Sequence, residues 1–391
     1  MEKIKVGIAG IGFAGSCHIE NLRRLGNVEV VAVAGRNILR VKDKAYNMLI
    51  PRAYNDWNNL IKDKDIEAIH ITTPNNLHFP IAKATLEAGK HVICEKPLAL
   101  NSKEAKLLVD LANKMKLVNS VTFNLSFYPL IRQAKKIVSN KELGKILMVH
   151  GRYLQDWLSK DSDYNWRVEA EIGGKSRVIA DIGSHWIHMI QLIIGKKIKS
   201  VFADSTTFIT KRKKPYCDVP THTEREITDD KFEYVNVNTE DYASILFNME
   251  DNIKGCLVVS QVCPGRKQRI EWEISGSERS IAWCGENPNT LWIGQRDGYN
   301  KILMKGSNIM DKDVHQYMQY PIGLTEGYPD TLKNIFKKIY EHIANIKNND
   351  PNKISNIEYP TFRDGYEIQL VIDSVLESIA NKKWVNINKT L

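Results

Sequence analysis

The chain has 391 residues, 43% of them hydrophobic and 26% charged, and its formal net charge is +9. This length exceeds what one hydrophobic core usually serves, so two domains are expected. No apolar run is long enough to span a bilayer, and the start, Met1–Val6, leads straight into a predicted strand without the segments of a secretory signal. We therefore expect a cytoplasmic protein with no membrane partner.

The cysteines and the basic residues argue against several further classes of protein. The cysteines are scattered without a Cys-x-x-Cys pair, which argues against a zinc ribbon and a disulfide framework and indicates reduced thiols. They are Cys17, Cys94, Cys217, Cys256, Cys263 and Cys284. The densest basic run, Lys211–Lys214, has no interleaved aromatic residue and ends at Pro215. A solvated loop is therefore favoured over a nucleic-acid patch, and the excess charge would attract anionic cofactors or substrates.

The first third of the chain alternates short apolar runs with helical patterns. The predicted strands are Ile4–Ile8, Val28–Val33, Ala68–Ile71, His91–Cys94 and Asn119–Phe123. The segments between them, such as Pro80–Ala88 and Ser102–Lys116, show helical periodicity. Alternation of strand and helix indicates a parallel, doubly wound sheet, here assigned to a domain over residues 1–123.

From about residue 140 onward, strand patterns follow one another, which favours one mostly antiparallel sheet. The predicted strands are Ile146–Tyr153, Ser200–Ile209, Asp241–Met249, Ile253–Val262, Arg269–Gly276, Ser280–Cys284 and Leu291–Gln295. Helices over 183–194, 327–347 and 364–381 are expected to cover one face of this sheet, and Lys211–Glu240 is expected to be a long loop. Residues 124–391 are thus predicted to form an α+β domain.

A glycine fingerprint follows the first predicted strand. Gly10, Gly12 and Gly15 open a helical pattern, with Phe13 and Ala14 between the last two glycines. In a dinucleotide site the first glycine makes the tight turn, the second admits the pyrophosphate, and the third lets the helix pack on the strand. The strand-turn-helix context favours this reading over a chance surface turn.

The end of the second predicted strand bears on the choice of cofactor. An NAD site usually has an acidic residue there for the ribose 2'-hydroxyl, and this chain has Gly35 and Arg36, with Arg40 one turn later. Taken alone, these residues favour a 2'-phosphate and NADP. Alternatively, Arg36 stacks on the adenine and accepts either cofactor.

Two later segments are placed to complete a hydride-transfer site. Thr73–Asn75, after the third predicted strand, is expected to cover the cofactor, and the bend at Pro97 is expected to aim Lys96 at the nicotinamide. Lys96 lies at the carboxyl end of a parallel strand, where such sheets bind ligands. This position favours a functional role over that of a surface lysine.

Asp181, His185 and His188 are spaced to share one helix face if the helix extends back to Asp181. Three interpretations are open. These residues are polar members of a buried helix end, a metal site of two histidines and a carboxylate, or the acid/base group of a dehydrogenase.

These motifs, in this order, resemble the glucose-fructose oxidoreductase and inositol dehydrogenase family, Gfo/Idh/MocA. The resemblance covers nearly the whole chain, down to Asp364–Tyr366, and Glu95–Lys96–Pro97 is its most specific element. It implies that Lys96 hydrogen-bonds the reacting hydroxyl, that His185 is the acid/base residue, and that Asp181 contacts neighbouring hydroxyls. No resident metal is implied.

The resemblance also suggests a subgroup of sugar dehydrogenases that includes levoglucosan dehydrogenase and oxidisers of glycoside 3-hydroxyls. The segments that carry it are Tyr153–Trp157, Asn165–Arg167 and Glu286–Asn289. The predicted substrate contacts are Lys96, Asn124, Tyr153, Gln155, Trp157, Trp166, Arg167, Asp181 and His185. The predicted cofactor contacts are Gly10, Gly12, Phe13, Ala14, Gly15, Gly35, Arg36, Arg40, Thr73, Pro74, Asn75, His78, Glu95 and Lys96. Stacking on a sugar and core packing explain Tyr153, Trp157 and Trp166 about equally well.

Three positions depart from the family's usual pattern. His188 stands where many members have a second aspartate, Ser126 stands where an arginine is common, and Leu324 stands where the subgroup often has a histidine. These departures bear on the substrate that the pocket accepts.

The predicted function is hydride transfer between a secondary hydroxyl of a sugar or glycoside, at the 3-position of a pyranose, and a nicotinamide. NAD is placed ahead of NADP because the subgroup is largely NAD-linked. Alternatives are an inositol or polyol dehydrogenase, an NAD-dependent glycosidase that oxidises its substrate transiently, and a non-catalytic sugar or dinucleotide sensor. An open sheet face of this size predicts a homodimer or homotetramer.

Overall fold

The structure is a computed structural model that describes residues 3–216, 232–348 and 357–387. It divides into two compact units, the first from described residues of 1–124 and 329–369, the second from those of 125–328 and 370–391. The predicted division assigned all of 124–391 to the second domain. The described residues of 329–369 instead pack with the first.

The structure contains short strands and longer helices, numbered here in chain order. The strands are β1 (Ile4–Ala9), β2 (Val28–Ala34), β3 (Arg52–Tyr54), β4 (Ala68–Ile71), β5 (His91–Cys94), β6 (Asn119–Val121), β7 (Ile146–Leu154), β8 (Ile198–Thr206), β9 (Lys211–Pro215), β10 (Phe232–Asn236), β11 (Tyr242–Met249), β12 (Lys254–Ser260), β13 (Arg269–Gly276), β14 (Arg279–Cys284), β15 (Thr290–Gln295), β16 (Lys301–Met304) and β17 (Val385–Asn386). The helices are α1 (Phe13–Arg23), α2 (Ile38–Asn47), α3 (Trp57–Lys62), α4 (His78–Glu87), α5 (Ser102–Met115), α6 (Pro129–Ser139), α7 (Ala170–Gly173), α8 (Ser184–Ile194), α9 (Tyr328–Lys347) and α10 (Phe362–Asn381).

The first unit is built on a six-stranded parallel sheet of order β3-β2-β1-β4-β5-β6. Every residue of β4 is buried, as expected for a parallel sheet whose two faces are both covered by helices. This order is that of a dinucleotide-binding Rossmann fold, so the predicted fold class of this part is confirmed.

Helix α9 belongs to the core of the first unit. The ring of Phe336 makes edge contacts with His18 of α1 and His70 of β4, and the Tyr340 hydroxyl lies 2.8 Å from His70 Nε2. The prediction that this helix covers the antiparallel sheet is therefore wrong. Its amphipathic pattern requires an apolar partner but does not specify which sheet supplies it.

The second unit is built on a nine-stranded sheet of order β16-β15-β14-β13-β7-β12-β11-β8-β17. Only the β7–β12 pair is parallel, so the predicted large, mostly antiparallel sheet is confirmed. Helix α8 packs on it through Trp186, whose indole nitrogen donates to the carbonyl of Glu271. A side chain on Gly151 would lie 2.8 Å from that nitrogen, so this position requires glycine.

The ends of the predicted loop over Lys211–Glu240 form an antiparallel ribbon of β9 and β10. The residues between them, including Cys217, lie outside the described residues. Arg212 of the basic run is fully buried and ion-paired with Asp241, and it donates to the carbonyls of Leu158, Lys160 and Asp163. The prediction of a solvated loop is thus wrong at Arg212, because these acceptors compensate for its desolvation.

The described cysteines are all free thiols. Over residues 3–216, 232–348 and 357–387, no helix is long and apolar enough to cross a membrane.

Candidate active site

The glycine turn between β1 and α1 leaves no room for side chains at two of its glycines. Gly10 has φ of 108°, and a Cβ there would lie 2.6 Å from the carbonyl oxygen of Thr72. A Cβ on Gly15 would lie 2.3 Å from the carbonyl oxygen of Gly10. The turn and the close helix packing therefore both require glycine.

Gly12 has the opposite environment. A Cβ at this position would meet nothing within 4 Å, and Gly12 precedes α1 without a side-chain cap. The first turn of α1, which contains Phe13 and Ala14, has no acidic residue. The amino end of α1 is therefore open to an anionic group, so these residues fit a dinucleotide pyrophosphate.

Two arginines follow β2, Arg36 in the loop and Arg40 in the first turn of α2. Arg36 and Arg40 are both exposed, and the Asn37 side chain between them caps α2 by accepting from the backbone nitrogens of Leu39 and Arg40. Gly35 is tightly placed, since a Cβ there would lie 3.0 Å from Val41 Cγ2. The structure thus places two exposed arginines just after β2, the region in which Rossmann domains contact the ribose 2'-substituent.

His78 connects the two loops predicted to surround the nicotinamide. Its Nδ1 lies 2.7 Å from the Pro97 carbonyl oxygen and its Nε2 lies 3.0 Å from the Thr73 carbonyl oxygen. Burial lowers the pKa of His78, and the hydrogen bonds to both carbonyls oppose that shift. His78 therefore holds the loop after β4, with Thr73, Pro74 and Asn75, against the loop after β5.

Thr73 also has a hydroxyl that is available to a ligand. Its hydroxyl is buried and has no hydrogen-bond partner among the described residues. A buried hydroxyl in this state is costly unless a ligand completes its hydrogen bonding. Together with the open end of α1, this hydroxyl supports the fit of a dinucleotide to the first unit.

Glu95 and Lys96 follow β5, and Lys96 is half-buried. The Glu95 carboxylate is turned toward α1, with Oε1 lying 3.0 Å from His18 Nε2, and Oε2 accepts from the Lys96 backbone nitrogen at 3.3 Å. Burial raises the pKa of Glu95, but the hydrogen bond from His18 and the positive charge of Lys96 outweigh it, so the net pKa is lowered. Glu95 is thus an ionised internal acceptor beside Lys96.

Asp181 lies in a π-helical turn over Ile179–Gly183 that runs directly into α8. The helix therefore does extend back to Asp181, as the one-face prediction required, but with a wider turn. Such π turns are rare and recur at functional sites. His185 lies in the first turn of α8 and is buried.

The Asp181 carboxylate is held by two donors. Arg167 Nε lies 3.2 Å from its Oδ1, and Gln261 Nε2 lies 2.8 Å from its Oδ2. Arg167 is itself oriented by Asn165, whose Oδ1 accepts from Arg167 Nη1 at 3.0 Å. The arrangement is that of an ionised carboxylate fixed in one orientation.

A chain of side-chain amides continues from this carboxylate. Gln155 Oε1 accepts from Trp157 Nε1 at 2.9 Å and from Gln261 Nε2 at 3.4 Å. Gln155 Nε2 donates to Gln268, which donates to the Tyr153 hydroxyl. The orientation of the amides follows from the ends, because an indole only donates and an ionised carboxylate only accepts.

The three aromatic residues proposed for sugar stacking differ in accessibility. Tyr153 is only 2% exposed, so its ring belongs to the core and presents no face to a pyranose. The guanidinium of Arg167 lies 4.4 Å from the ring centre of Trp166 and 6.0 Å from that of Trp157. Trp157 and Trp166 are both half-buried, so of the three rings only these two are accessible to a ligand.

His188 lies one turn after His185. Burial, followed by the positive charges of Arg132, Lys197 and Lys135, lowers the pKa of His188 to about 3, so it is neutral at physiological pH. Within the described ranges, no three His, Cys, Asp or Glu side chains group as a metal site. The structure therefore does not bring Asp181, His185 and His188 together as metal ligands.

Asn124 is the last residue of the first unit before the chain enters the second. It is buried, and its amide nitrogen donates to the Thr331 hydroxyl of α9 at 2.8 Å. Asn124 therefore stabilises the packing of α9 in the first unit, in addition to its predicted role as a substrate contact.

Two family models match the chain over most of its length. One, described as an oxidoreductase family with an NAD-binding Rossmann fold, matches residues 4–123, and the other, the C-terminal domain of the same family, matches residues 131–282. The chain belongs to the Gfo/Idh/MocA family. It is therefore an oxidoreductase whose first unit is an NAD-binding Rossmann domain, as predicted.

Relatives within the family match from end to end. The chain is 28% identical to levoglucosan dehydrogenase of Pseudarthrobacter phenanthrenivorans, over 99% of both chains. It is 23% identical to glucose-6-phosphate 3-dehydrogenase of Bacillus subtilis, over 98% of this chain and 99% of that one. A solved levoglucosan dehydrogenase in complex with NADH and levoglucosan is 27% identical, with a TM-score of 0.87, over 99% of this chain and 100% of that one. The predicted resemblance to this subgroup is confirmed.

Sequence reasoning missed several residues of these networks. Gln261 and Gln268 are next to the predicted site residues only through the sheet, since they follow β12 and precede β13. His18 and His70 lie on α1 and β4 and were not singled out. The one available signal was polarity, because His70 interrupts an otherwise apolar and fully buried strand.

Proposed function

We propose that this oxidoreductase oxidises a secondary hydroxyl of a sugar or glycoside with NAD, at the 3-position of a gluco-configured pyranose. The observation that carries the proposal is the Asp181 carboxylate held by Arg167 and Gln261, one turn before His185. A fixed, ionised carboxylate accepts hydrogen bonds from adjacent hydroxyls, which a sugar offers and a lone alcohol does not. The named activities of the two relatives, on levoglucosan and at the 3-position of glucose 6-phosphate, support this choice.

In the proposed reaction, His185 accepts the hydroxyl proton and the Lys96 ammonium donates a hydrogen bond to the oxygen as negative charge develops on it. When bound, NAD supplies the hydride acceptor. Asp181 binds a hydroxyl next to the reacting one and so fixes which carbon is presented. Trp157 and Trp166 border the sugar ring.

The test follows the reduced-nicotinamide absorbance across a panel of glucosides, levoglucosan, free sugars and inositols, with product analysis by NMR. A 3-keto product from a glucoside supports the proposal. Oxidation only at the anomeric carbon, or only of inositols, contradicts it. Release of the aglycone without net cofactor reduction would instead identify a glycosidase that oxidises its substrate transiently.

We also propose that the enzyme is a cytoplasmic homodimer or homotetramer that assembles through the sheet of the second unit. A row of directly opposed residues crosses eight of its strands on one face: Ile302, Trp292, Ala282, Glu273, His150, Cys256, Leu246 and Phe202. Each is exposed or half-buried, and most are apolar. A second copy would cover such a face.

Sedimentation of the Leu246→Glu variant tests this assembly, with Glu29→Lys on the first unit as a control for a charge change. We expect the Leu246→Glu variant to sediment as a smaller species than the control. A wild-type protein that is monomeric at micromolar concentration would contradict the proposal.

A further inference from the structure

A row of hydrogen-bonded side chains runs from Glu95 into the core of the first unit. Glu95 Oε1 lies 3.0 Å from His18 Nε2, and His18 Nδ1 lies 2.9 Å from His70 Nδ1. The row ends at Tyr340, whose hydroxyl lies 2.8 Å from His70 Nε2. Both histidines and the tyrosine are buried, at 1% exposure or less.

The Glu95 end gives this row its direction, because an ionised carboxylate only accepts hydrogen bonds. Burial raises the pKa of Tyr340 well above its usual value, so its hydroxyl keeps the proton that the bare Nε2 of a neutral His70 accepts. Burial and the neighbouring His18 lower the pKa of His70 well below its usual range, so His70 is neutral and donates from Nδ1. His18 then accepts at Nδ1 and donates from Nε2 to the Glu95 carboxylate.

Aromatic packing fixes the rings in place. Phe336 of α9 meets both imidazoles edge-on, with ring centres 4.7 Å from His18 and 5.0 Å from His70. The His70 and Tyr340 rings are nearly parallel, 5.9 Å apart. Because the Tyr340 hydroxyl is fully buried, the row has no solvent outlet at that end and is not built to conduct protons.

We propose that His18, His70 and Tyr340 are positioning residues that hold Glu95 as a fixed acceptor for Lys96. Glu95 Oε2 accepts from the Lys96 backbone nitrogen, so a rotation of the Glu95 carboxylate would release that backbone. His18 lies on α1, the helix that opens at the glycine turn. The row thus links the helix of the cofactor turn to the residue that follows β5.

This inference rests on the proposed function for the role of Lys96 at the reacting oxygen. The ionisable groups that face Glu95 are Cys17 and His18 of α1, His78 of α4, and Lys96. His18 and Tyr340 face His70, and Glu67 is the charged group that acts on Tyr340.

A pair of substitutions at His18 separates hydrogen bonding from packing. His18→Gln keeps one donor and one acceptor in the row, whereas His18→Leu removes both. We expect kcat to fall on the order of a hundredfold in His18→Leu and only severalfold in His18→Gln. Equal losses in the two variants would show that the row only fills space and would overturn the proposal.

Tyr340→Phe is the milder test, because it removes one hydroxyl. A matched control exists in the same unit, since the buried Tyr359 hydroxyl contacts His342 Nδ1, outside the row. We expect Tyr340→Phe to lower kcat about three- to tenfold with an unchanged KM for NAD, and Tyr359→Phe to leave kcat unchanged. Unchanged kcat in Tyr340→Phe would overturn the proposal.

Nitrogen NMR of the holoenzyme labelled with ¹⁵N-histidine measures which ring nitrogen of each histidine carries the proton. This measurement uses the wild-type protein, so it does not depend on whether a variant folds. We expect the proton at Nε2 of His18 and at Nδ1 of His70 in the wild type, and a mixture of tautomers at His70 in Tyr340→Phe. The opposite tautomers in the wild type would overturn the proposal. Lys96→Met separates the two ideas, since near-normal turnover in that variant contradicts the role of Lys96 and leaves the tautomers unaffected.

Discussion

Gln261 Nε2 lies 2.8 Å from Asp181 Oδ2, and the same nitrogen lies 3.4 Å from Gln155 Oε1. The Gln261 amide thus connects Asp181, which is proposed to bind the sugar, with Gln155 and its hydrogen-bonded neighbours. Gln261 is fully buried, so in a variant that lacks the amide no water takes over the hydrogen bonds that Gln261 makes.

We expect Gln261→Leu to lower kcat/KM for the sugar by about ten- to a hundredfold, because a hydrogen bond to a charged group is lost. In Gln261→Glu two carboxylates adjoin, which raises the pKa of one of them. Below that pKa a shared proton preserves the contact, so the ratio of variant to wild-type kcat/KM should fall as pH rises. A ratio independent of pH would contradict this account, and the exposed Gln316→Leu is the control.

Lys96→Ala is expected to lower turnover on the order of a hundredfold or more with little change in NAD affinity. The reason is that the amine is proposed to contact the reacting oxygen and not the pyrophosphate. Steady-state rates and NAD titration by fluorescence measure the two effects. The exposed Lys83, paired with Glu87 on α4, provides a control lysine. Near-wild-type turnover in Lys96→Ala would remove Lys96 from the mechanism.

His185→Ala and His188→Gln form a matched pair one helical turn apart. A base must be neutral to accept a proton, so the rate of oxidation in the wild type should fall at acidic pH as His185 becomes protonated. We expect His185→Ala to lose at least a hundredfold in kcat together with that acidic limb. His188, with a pKa of about 3, stays neutral through the assay range, so His188→Gln should keep the limb in place. If the acidic limb were altered in His188→Gln and unchanged in His185→Ala, His188 and not His185 would be the base.

Arg36→Ala tests the cofactor preference. Arg36 and Arg40 follow β2 and are both exposed, so a 2'-phosphate would gain a charge-assisted hydrogen bond there. We expect the variant to bind NADP more weakly by about 1.5 to 3 kcal/mol and NAD almost unchanged. Binding is measured by titration with each dinucleotide. An equal loss for both would show that Arg36 only stacks on the adenine.

Asp241→Leu should destabilise the second unit severely. Asp241 is fully buried between Arg177 and Arg212, and its loss would leave two buried guanidinium groups without their shared counter-charge. We expect the free energy of unfolding to fall by about 3 to 5 kcal/mol, measured by urea denaturation. Asp313→Ala, which removes an exposed ion pair with Lys136, should have little effect. Comparable losses in the two variants would contradict the interpretation.

Local patterns predicted most of the fold. The bounds of β4, β5 and β13 agree with their predicted ranges, because apolar runs define the first two and period-two alternation defines the third. β3 was not predicted, since its three residues contain no apolar run. Arg212 was assigned to a solvated loop because its acceptors are backbone carbonyls and a distant aspartate, which leave no mark near it in the sequence.

In the candidate site too, residues with a local sequence pattern were predicted and residues that meet only through the fold were not. Gly10, Gly12 and Gly15 were recognisable because the chemistry needs glycine at fixed spacing. Gln261 was not recognisable, because one amide in a polar segment looks like any other until the sheet places it beside Asp181. His18 and His70 lie far apart in sequence and meet only through packing in the parallel sheet.

The return of α9 and of Pro360 to the first unit bears on how the protein is made. Ser120 and Val121 of β6 both donate to the Pro360 carbonyl, and the rings of Phe336 and Tyr340 complete the core around His18 and His70. During translation the chain emerges amino end first. After residue 124 has been synthesised, the first unit still lacks α9. Part of its interior therefore stays exposed until more than two hundred further residues have been added. The part of the enzyme that is translated first is therefore completed only after most of the second unit has been synthesised.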